Sequence, residues 1–257
     1  MSYAGFDTFG YPGDSVMDWL KRNTNFCWTG FYLAPAPSHP NTSWMSHRQR
    51  LVDTGWGIAP LYVGQETIGP GRHNVTGIQG HFDGADAAKL MEQAGFPKGS
   101  VVYIDLENGP PFTVAEQNYV TSWVAAVEAS GYKAGVYASF LFSAAVHKVV
   151  PSAYIWTFHV KTVNLHRVHG PTYPDSHPAL SGYGGATLWQ LDQSAQIDVP
   201  NGHMLVDLDT SAWPDPSTPP SVTVGRPPLS AFTDPPQNVG SAVPDDTQSL
   251  ASFYPGA

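Results

Sequence analysis

The stretch Val101-Val102-Tyr103-Ile104-Asp105-Leu106-Glu107 decides the predicted fold. It opens with four apolar or aromatic residues, which is typical of a strand buried on both faces in a parallel sheet. Asp105 and Glu107 follow two positions apart, and alternate side chains of a strand point to the same face. The stretch therefore predicts a buried strand that presents two carboxylates side by side at its C-terminal end.

Short apolar runs of the same kind recur along the chain and alternate with helical patterns. The other predicted strands are Ala4–Asp7, Thr29–Leu33, Gly57–Val63, Ala134–Tyr137, Ala153–Thr157, Thr187–Leu191 and Leu205–Leu208. The predicted helices are Asp14–Lys21, Asp83–Ala94 and Thr113–Ser130, and the last opens with a capping-box spacing. Eight strands alternating with helices within about 210 residues predict an α/β fold, a closed (β/α)8 TIM-type barrel of parallel strands. A long loop over residues 159–185 makes its last third irregular.

The composition of the chain changes at Trp213. Its last 44 residues hold 10 of the 24 prolines, and proline lacks the backbone donor that helices and central strands need. We therefore expect residues 1–213 to form the barrel domain and residues 214–257 a proline-rich extended or disordered arm. Two roles remain open for the arm: contact with a protein partner or with the flank of the barrel, or a linker without contacts. The barrel is expected to fold without it.

Charge and hydropathy exclude several classes of protein. The net charge of −9 argues against a nucleic-acid partner, whose phosphates require a basic surface. No run reaches the roughly 18 apolar residues of a membrane helix, and the first residues lack a secretory signal pattern, so the cellular location stays open. Cys27 is the single cysteine, which excludes an intrachain disulfide. His166 and His169 have a possible ligand spacing, but nearby proline and glycine disfavour a helix there, so neither a metal nor another cofactor is predicted.

Acidic and aromatic residues follow almost every predicted strand. The C-terminal ends of parallel barrel strands meet at one mouth, where active sites of this fold form. The candidate catalytic acids are Asp7, Asp105, Glu107 and Asp207. The candidate substrate contacts are Tyr32, Tyr62, Gln65, Tyr137, Trp156, Trp189, Gln190 and Asp209. Burial and mutual repulsion raise carboxyl pKa values, so that one acid stays protonated while another ionises. The alternatives are acids that only cap loops and aromatic rings that only fill the barrel core.

The chain resembles the lysozyme-like glycoside-hydrolase-like domain family of actinobacteria and their phages, many members of which have no known function. That family is related to the family 25 glycoside hydrolases, muramidases that cleave the glycan of peptidoglycan. The ordered segments that carry the resemblance are Gly5–Thr8, Thr29–Leu33, Ala59–Gln65, Val102–Glu107, Gly135–Tyr137, Leu188–Gln190 and Val206–Asp209. They keep their order and spacing over residues 3–213.

The resemblance implies a hydrolase that acts on a β-linked amino-sugar glycan, with bacterial cell-wall peptidoglycan as the expected substrate. Glu107 matches the general acid, and Asp105 matches the carboxylate that stabilises the oxocarbenium-like transition state or orients the substrate acetamido group. Asp7 and Asp207 match the remaining acids. Such an enzyme would act outside the cell or on a virion. The alternative is a non-catalytic glycan-binding or structural barrel within a larger assembly such as a phage particle.

Overall fold

A computed structural model of the chain describes residues 1–66, 74–107, 110–160 and 164–220. Residues Met1–Pro219 form one compact unit, which continues past the boundary predicted at Trp213. Residues 221–257 of the predicted arm lie outside the described residues, so its role stays a prediction. Within the described residues, no helix combines the length and the apolar character needed to span a membrane.

Nine strands build the sheet in the described ranges of the chain. They are β1 (Tyr3–Asp7), β2 (Trp28–Tyr32), β3 (Gly57–Val63), β4 (Val101–Leu106), β5 (Lys133–Ser139), β6 (Tyr154–Phe158), β7 (His166–Val168), β8 (Leu188–Val199) and β9 (Gly202–Ser211). Eight of them close a ring, because β6 pairs with β8 and β9 pairs with β1. β7 pairs with β8 beside this ring. The closed α/β barrel predicted from the sequence is thereby confirmed.

The last barrel strand differs from the predicted all-parallel arrangement. β9 runs antiparallel to both of its neighbours, β8 and β1. Only Pro200 and Asn201 connect β8 to β9. A connection this short forms a hairpin, whereas a parallel pair needs a crossover of a dozen or more residues.

Five α-helices cover the outside of the barrel in the described part of the chain. They are α1 (Asp14–Asn23), α2 (Arg48–Asp53), α3 (Gly77–Gln93), α4 (Val114–Ala129) and α5 (Ser143–Val149). The capping box predicted at Thr113 is present, with Thr113 and Glu116 bonding each other's backbone N–H groups. Between β6 and β8 the described residues contain β7 and a 3-10 turn at Pro178–Leu180 instead of an α-helix, which confirms the irregular last third.

Helix α3 begins earlier than the sequence analysis placed it. Its N-cap is Thr76, whose side chain accepts a hydrogen bond from the backbone of Gln79. Asp83 is therefore in the middle of the helix, where it accepts hydrogen bonds from Tyr119 Oη at 2.6 Å and from Gln79 Nε2 at 2.7 Å. Asp83 was predicted to open the helix; in the structure it links α3 to α4.

The apolar core has two layers because successive strand side chains face opposite sides. One layer fills the space between strands and helices, and the other fills the barrel interior. The interior layer contains Trp28, Ala59, Leu61, Val101, Tyr103, Tyr137, Trp156 and Leu188. Trp156 packs edge-on against Trp28 and Tyr103 at 5.6 Å and against Tyr137 at 5.4 Å between ring centroids. These rings fill the interior below the acids of the mouth.

A short segment after β9, residues 214–218, lies across the N-terminal end of the barrel. Asp215 Oδ1 accepts a hydrogen bond from Ile58 N at 3.0 Å, and Ser217 O accepts one from Val101 N at 2.8 Å. The hydroxyl of Tyr103 donates to Pro216 O at 3.1 Å. The segment thus satisfies backbone groups at the starts of β3 and β4 and a buried hydroxyl between them.

Ending the chain at Trp213 is expected to destabilise the barrel, whereas ending it at Pro219 should not. The shorter chain loses the three hydrogen bonds to residues 215–217, and each such bond contributes about 0.5–1.5 kcal/mol to stability. Urea denaturation of both truncated chains and the full chain measures this. Equal midpoints for all three would show that residues 214–219 contribute nothing to the stability of the barrel.

Candidate active site

All four predicted acids line one cleft at the C-terminal mouth of the barrel. The residues lining the cleft are Asp7, Tyr32, Leu61, Asp105, Glu107, Tyr137, Trp156, Gln190 and Asp207, around about 250 Å³ of empty space. All eight barrel strands contribute a lining residue, and Glu107 follows the last residue of β4 directly. Among the described residues, this lining includes no basic side chain.

Asp7 ends β1 and is held by its neighbour strand β2. Tyr32 donates its hydroxyl to Asp7 Oδ1 at 2.7 Å. Gly30, also on β2, leaves room for Asp7, because a Cβ built on Gly30 would lie 2.5 Å from Asp7 Cβ. Burial raises the pKa of Asp7, while the hydrogen bond from Tyr32 opposes that shift. Strand β2 therefore fixes both the position and the partner of Asp7.

Replacement of Gly30 with alanine is expected to displace Asp7. The added methyl group would overlap the Asp7 side chain, and overpacking of this kind costs about 1–3 kcal/mol of stability. Gly184→Ala is the matched control, since nothing lies within 4 Å of a Cβ at that position. Urea denaturation should give a lower midpoint for Gly30→Ala alone. A Gly30→Ala variant as stable as the control would contradict the close approach of β2 to Asp7.

Asp105 and Glu107 stand on one face at the end of β4. Asp105 is buried, and its Oδ1 atom has no hydrogen-bond partner among the described residues. Burial, together with the charges of Glu107, Glu66 and Asp7, raises the pKa of Asp105 well above its ordinary value. Burial and the charges of Glu66 and Asp7 raise the pKa of Glu107 to about 8. Glu107, which is partly exposed, is therefore protonated at neutral pH.

Asp207 on β9 has donors on both of its oxygen atoms. Gln190 Nε2 donates to Oδ2 at 3.0 Å, and the backbone N–H of Ser194 donates to Oδ1 at 2.8 Å. Tyr137 in turn donates its hydroxyl to Gln190 Oε1. Burial and the charge of Asp7 raise the pKa of Asp207 well above its ordinary value, and the Ser194 N–H opposes this shift. A hydrogen-bonded chain thus connects β5, β8 and β9 across one side of the cleft.

Two predicted substrate contacts lie in the helical layer. Tyr62 is fully buried and donates its hydroxyl to Asp86 of α3 at 3.2 Å. Trp189 is also buried, and its Nε1 donates to His159 O at 3.0 Å. Their strand neighbours Leu61 and Gln190 face the cleft instead. The predicted sugar platforms at Tyr62 and Trp189 are incompatible with these positions.

Of the other predicted contacts, four line the cleft and two do not. Tyr32, Tyr137 and Gln190 line its walls. Trp156 lines its floor, and its Nε1 donates to Asp209 Oδ1 at 3.1 Å. Asp209 has no exposed surface, so a substrate cannot reach it. Gln65 is buried after β3 and does not line the cleft; its backbone N–H donates to Tyr119 Oη at 2.9 Å.

Glu66 is an acid of the mouth that the sequence analysis missed. It follows Gln65 directly, and its charge acts on both Asp105 and Glu107. Burial raises the pKa of Glu66 itself to about 7. The pairing of Val63 with Asp105 places the end of β3 beside the end of β4. That register, together with the acidic side chain one position beyond Gln65, is the signal that could have identified Glu66.

The histidines considered as metal ligands contact separate carboxylates. His166 Nε2 lies 2.9 Å from Asp192 Oδ2, while His169 Nδ1 lies 3.1 Å from Asp198 Oδ2. Within the described ranges, no group of three or more His, Cys, Asp or Glu side chains is arranged to hold a metal ion.

Comparison with known proteins identifies the family of the chain. The Rv2525c-like, glycoside hydrolase-like domain matches residues 20–199. The chain belongs to this family. No curated protein sequence matches the chain, so the remaining similarities come from solved structures. The family assignment agrees with the resemblance drawn from the strand ends.

Solved structures share the fold at low sequence identity. The Mycobacterium tuberculosis Tat-secreted protein Rv2525c, in complex with L-tartrate, is 16% identical, with a TM-score of 0.56 over 83% of this chain and 96% of that one. A family 25 glycosyl hydrolase from Bacillus anthracis is 15% identical, with a TM-score of 0.54 over 82% and 89%. A bacterial lysozyme from Streptomyces coelicolor is 12% identical, with a TM-score of 0.53 over 82% and 92%. This chain therefore has a glycoside-hydrolase-like fold related to that of lysozymes.

Proposed function

We propose that the chain hydrolyses a β-linked amino-sugar glycan, with bacterial cell-wall peptidoglycan as its substrate. The observation that carries the proposal is the pair Asp105 and Glu107 in a cleft with Asp7 and Asp207. The fold shared with a family 25 glycosyl hydrolase and a bacterial lysozyme supports it. Two carboxyl groups with separate protonation states are what acid-catalysed glycoside hydrolysis requires.

Glu107 is the general acid of the proposed reaction. Burial and neighbouring acids raise its pKa to about 8, so Glu107 carries a proton at neutral pH. Its partial exposure lets a bound glycan reach the proton. As the glycosidic C–O bond breaks, Glu107 gives this proton to the leaving oxygen. Water then supplies a hydroxyl group to the anomeric carbon and returns a proton to Glu107.

Asp105 supports the positive charge of the sugar. Asp105 lines the cleft and keeps 8% of its surface exposed, so the proposed contact with the sugar is made by this exposed part of the carboxyl group. An ionised Asp105 stabilises the oxocarbenium-like transition state directly or accepts the N–H of an acetamido group. Because the charge of Glu107 raises the pKa of Asp105, the two acids do not readily ionise together. In the proposed reaction Asp105 carries the charge while Glu107 carries the proton.

The remaining polar groups of the cleft bind and orient the sugar. Tyr32 and Asp7 form one hydrogen-bonded pair on the wall, and Gln190 and Asp207 form another. Carboxylate, amide and phenol groups match the hydroxyl groups of a glycan, which both donate and accept hydrogen bonds. The proposed role of Trp156 is to supply an aromatic floor beneath the sugar.

Release of reducing ends from purified peptidoglycan tests the proposal. The native chain is expected to release reducing ends from peptidoglycan and not from amylose, whose α-linked glucose lacks the acetamido group. Binding to peptidoglycan in a sedimentation assay, without release of reducing ends, would refute hydrolysis and favour a non-catalytic glycan-binding barrel.

A further inference from the structure

Asp209 is an acid that the proposed chemistry does not use. It lies on β9 two residues after Asp207, on the same face of the strand, and has no exposed surface. Across the sheet it pairs with Gly5 of β1 on one side and Gln190 of β8 on the other. Since a carboxylate this deeply buried is costly unless it is compensated, its protonation state needs a physical explanation.

The hydrogen-bond partners of Asp209 determine which of its oxygen atoms needs a proton. Oδ1 accepts from Trp156 Nε1 at 3.1 Å. Oδ2 is buried and has no donor within reach among the described residues. Asp209 pairs with Gly5 in the sheet, and Asp7 stands two residues further along β1 on the same face, so the carboxyl groups of Asp7 and Asp209 are neighbours inside the barrel. Two carboxylates are both acceptors, so a hydrogen bond between them requires a shared proton.

The neighbours of the pair decide which acid carries that proton. Asp7 receives the hydroxyl of Tyr32, which stabilises its ionised form, and keeps 6% of its surface exposed. The titratable groups that face Asp209 are Asp7 from β1 and Asp207 from β9, both acids. From β6 and β8 it faces Trp156 and Gln190, which carry no charge. The charge therefore belongs on Asp7 and the proton on Asp209.

We propose that Asp209 is a permanently protonated acid whose proton is donated in a hydrogen bond to the carboxylate of Asp7. Asp209 is thus a positioning residue, since it acts on the active site through Asp7 and cannot touch the substrate. It holds Asp7 in place from below, while Tyr32 holds it from the side. Burial and the charge of Asp7 raise the pKa of Asp209 well above its ordinary value, which agrees with this assignment.

Asparagine reproduces a protonated aspartic acid at this position. Its amide nitrogen can donate to Asp7 while its oxygen accepts from Trp156. Leucine has a similar shape and offers neither group. The infrared spectrum of the native chain at neutral pH is expected to contain a protonated-carboxyl band from Asp209, in addition to that of Glu107, and Asp209→Asn should lack the Asp209 band. Asp53→Asn, which removes an exposed carboxyl group of α2, is the control and should leave that band unchanged. If Asp209→Asn instead loses intensity only in the carboxylate bands, Asp209 is ionised in the native chain and the proposal is overturned.

The pH dependence of the unfolding free energy gives a second test. An Asp209 that only fills space would not make this free energy depend on pH. The stability that protonated Asp209 contributes is fully present below the unfolded Asp pKa of about 4 and is lost as pH rises toward its higher native pKa. Asp209→Asn does not show this loss, because an amide does not titrate. We therefore compare the unfolding constant of the native chain with that of Asp209→Asn. The first divided by the second should rise by up to about tenfold per pH unit above pH 4. A ratio independent of pH would contradict a protonated Asp209.

Cleavage assays provide a third test, which rests on the proposed function. Asp209→Asn is expected to keep activity within about threefold, whereas Asp209→Leu should lose about tenfold to a hundredfold, since Asp7 and Trp156 lose their partner. Equal loss in both variants would overturn the positioning role. The infrared and stability measurements need no substrate, so they decide the protonation of Asp209 even if the chain cleaves no glycan.

Discussion

Replacement of Glu107 with glutamine is expected to lower kcat for peptidoglycan cleavage by about a thousandfold, since general acid catalysis contributes about 10²–10⁴-fold. Glutamine keeps the size and shape of the side chain, but its amide cannot give a proton to a leaving oxygen. KM should change little, because Glu107 acts on the breaking bond. Initial rates of reducing-end release measure both constants.

Glu128→Gln is the matched control for this substitution. Glu128 is exposed on α4, and its replacement makes the same change of carboxyl to amide without reaching the cleft. It should leave the rate of reducing-end release unchanged. Full activity of Glu107→Gln, with the same thermal midpoint as the control, would remove Glu107 as the acid and leave the protonated carboxyl at the mouth without a catalytic role.

Cleavage is also expected to fall about tenfold per pH unit above about pH 8, where Glu107 loses its proton. Glu66 ionises at a lower pH, since its pKa is about 7. Its negative charge is therefore present when Glu107 titrates and helps to keep the Glu107 proton in place. Glu66→Gln removes that charge, so the alkaline limit of activity should move to lower pH.

The dependence of kcat/KM on pH for the native chain and Glu66→Gln measures this shift. Glu92→Gln is the control. Glu92 is exposed on α3, and the charges that raise the pKa of Glu107 are those of Glu66 and Asp7. An alkaline limit that does not move in Glu66→Gln would show that Glu66 is too far from Glu107, or too well screened, to influence it.

The mouth acids could be placed from the sequence because strand alternation is a strong local rule. Asp105 and Glu107 stand two residues apart after an apolar run, so one strand fixes both on one face. Asp7 ends β1, and Asp207 lies opposite it in the middle of β9. For Asp7, Asp105 and Glu107 the placement needs only the direction and the end of a parallel strand. Asp207 lies at the same mouth although β9 runs in the direction opposite to the predicted one.

The same rule, applied to every strand, would have excluded two aromatic residues. Leu61 and Gln190 face the cleft, so their neighbours Tyr62 and Trp189 must face the helices. Residue type alone favours the cleft for large rings at strand ends, although the space between strands and helices also requires large rings. Because alternate residues of a strand face opposite sides of the sheet, the position of a residue along its strand decides between these two locations, whatever its type.

Features that depend on distant parts of the chain could not be predicted from local patterns. The partners of residues 215–217 are backbone and side-chain groups more than a hundred residues earlier. The antiparallel direction of β9 follows from a two-residue connection that the sequence analysis did not recognise as a hairpin. The influence of Glu66 on Glu107 requires the register of β3 against β4. Such pairings emerge only when the barrel closes.

Digestion of purified peptidoglycan in water labelled with heavy oxygen, followed by mass spectrometry of the fragments, tests glycoside hydrolysis by this chain most directly. The native chain should produce glycan fragments with one heavy oxygen at each new reducing end, and Glu107→Gln should produce almost none. Three results would contradict hydrolysis of the glycan by the acids of this cleft. They are fragments without the label, label on released peptides, and glycan strands that stay intact after binding.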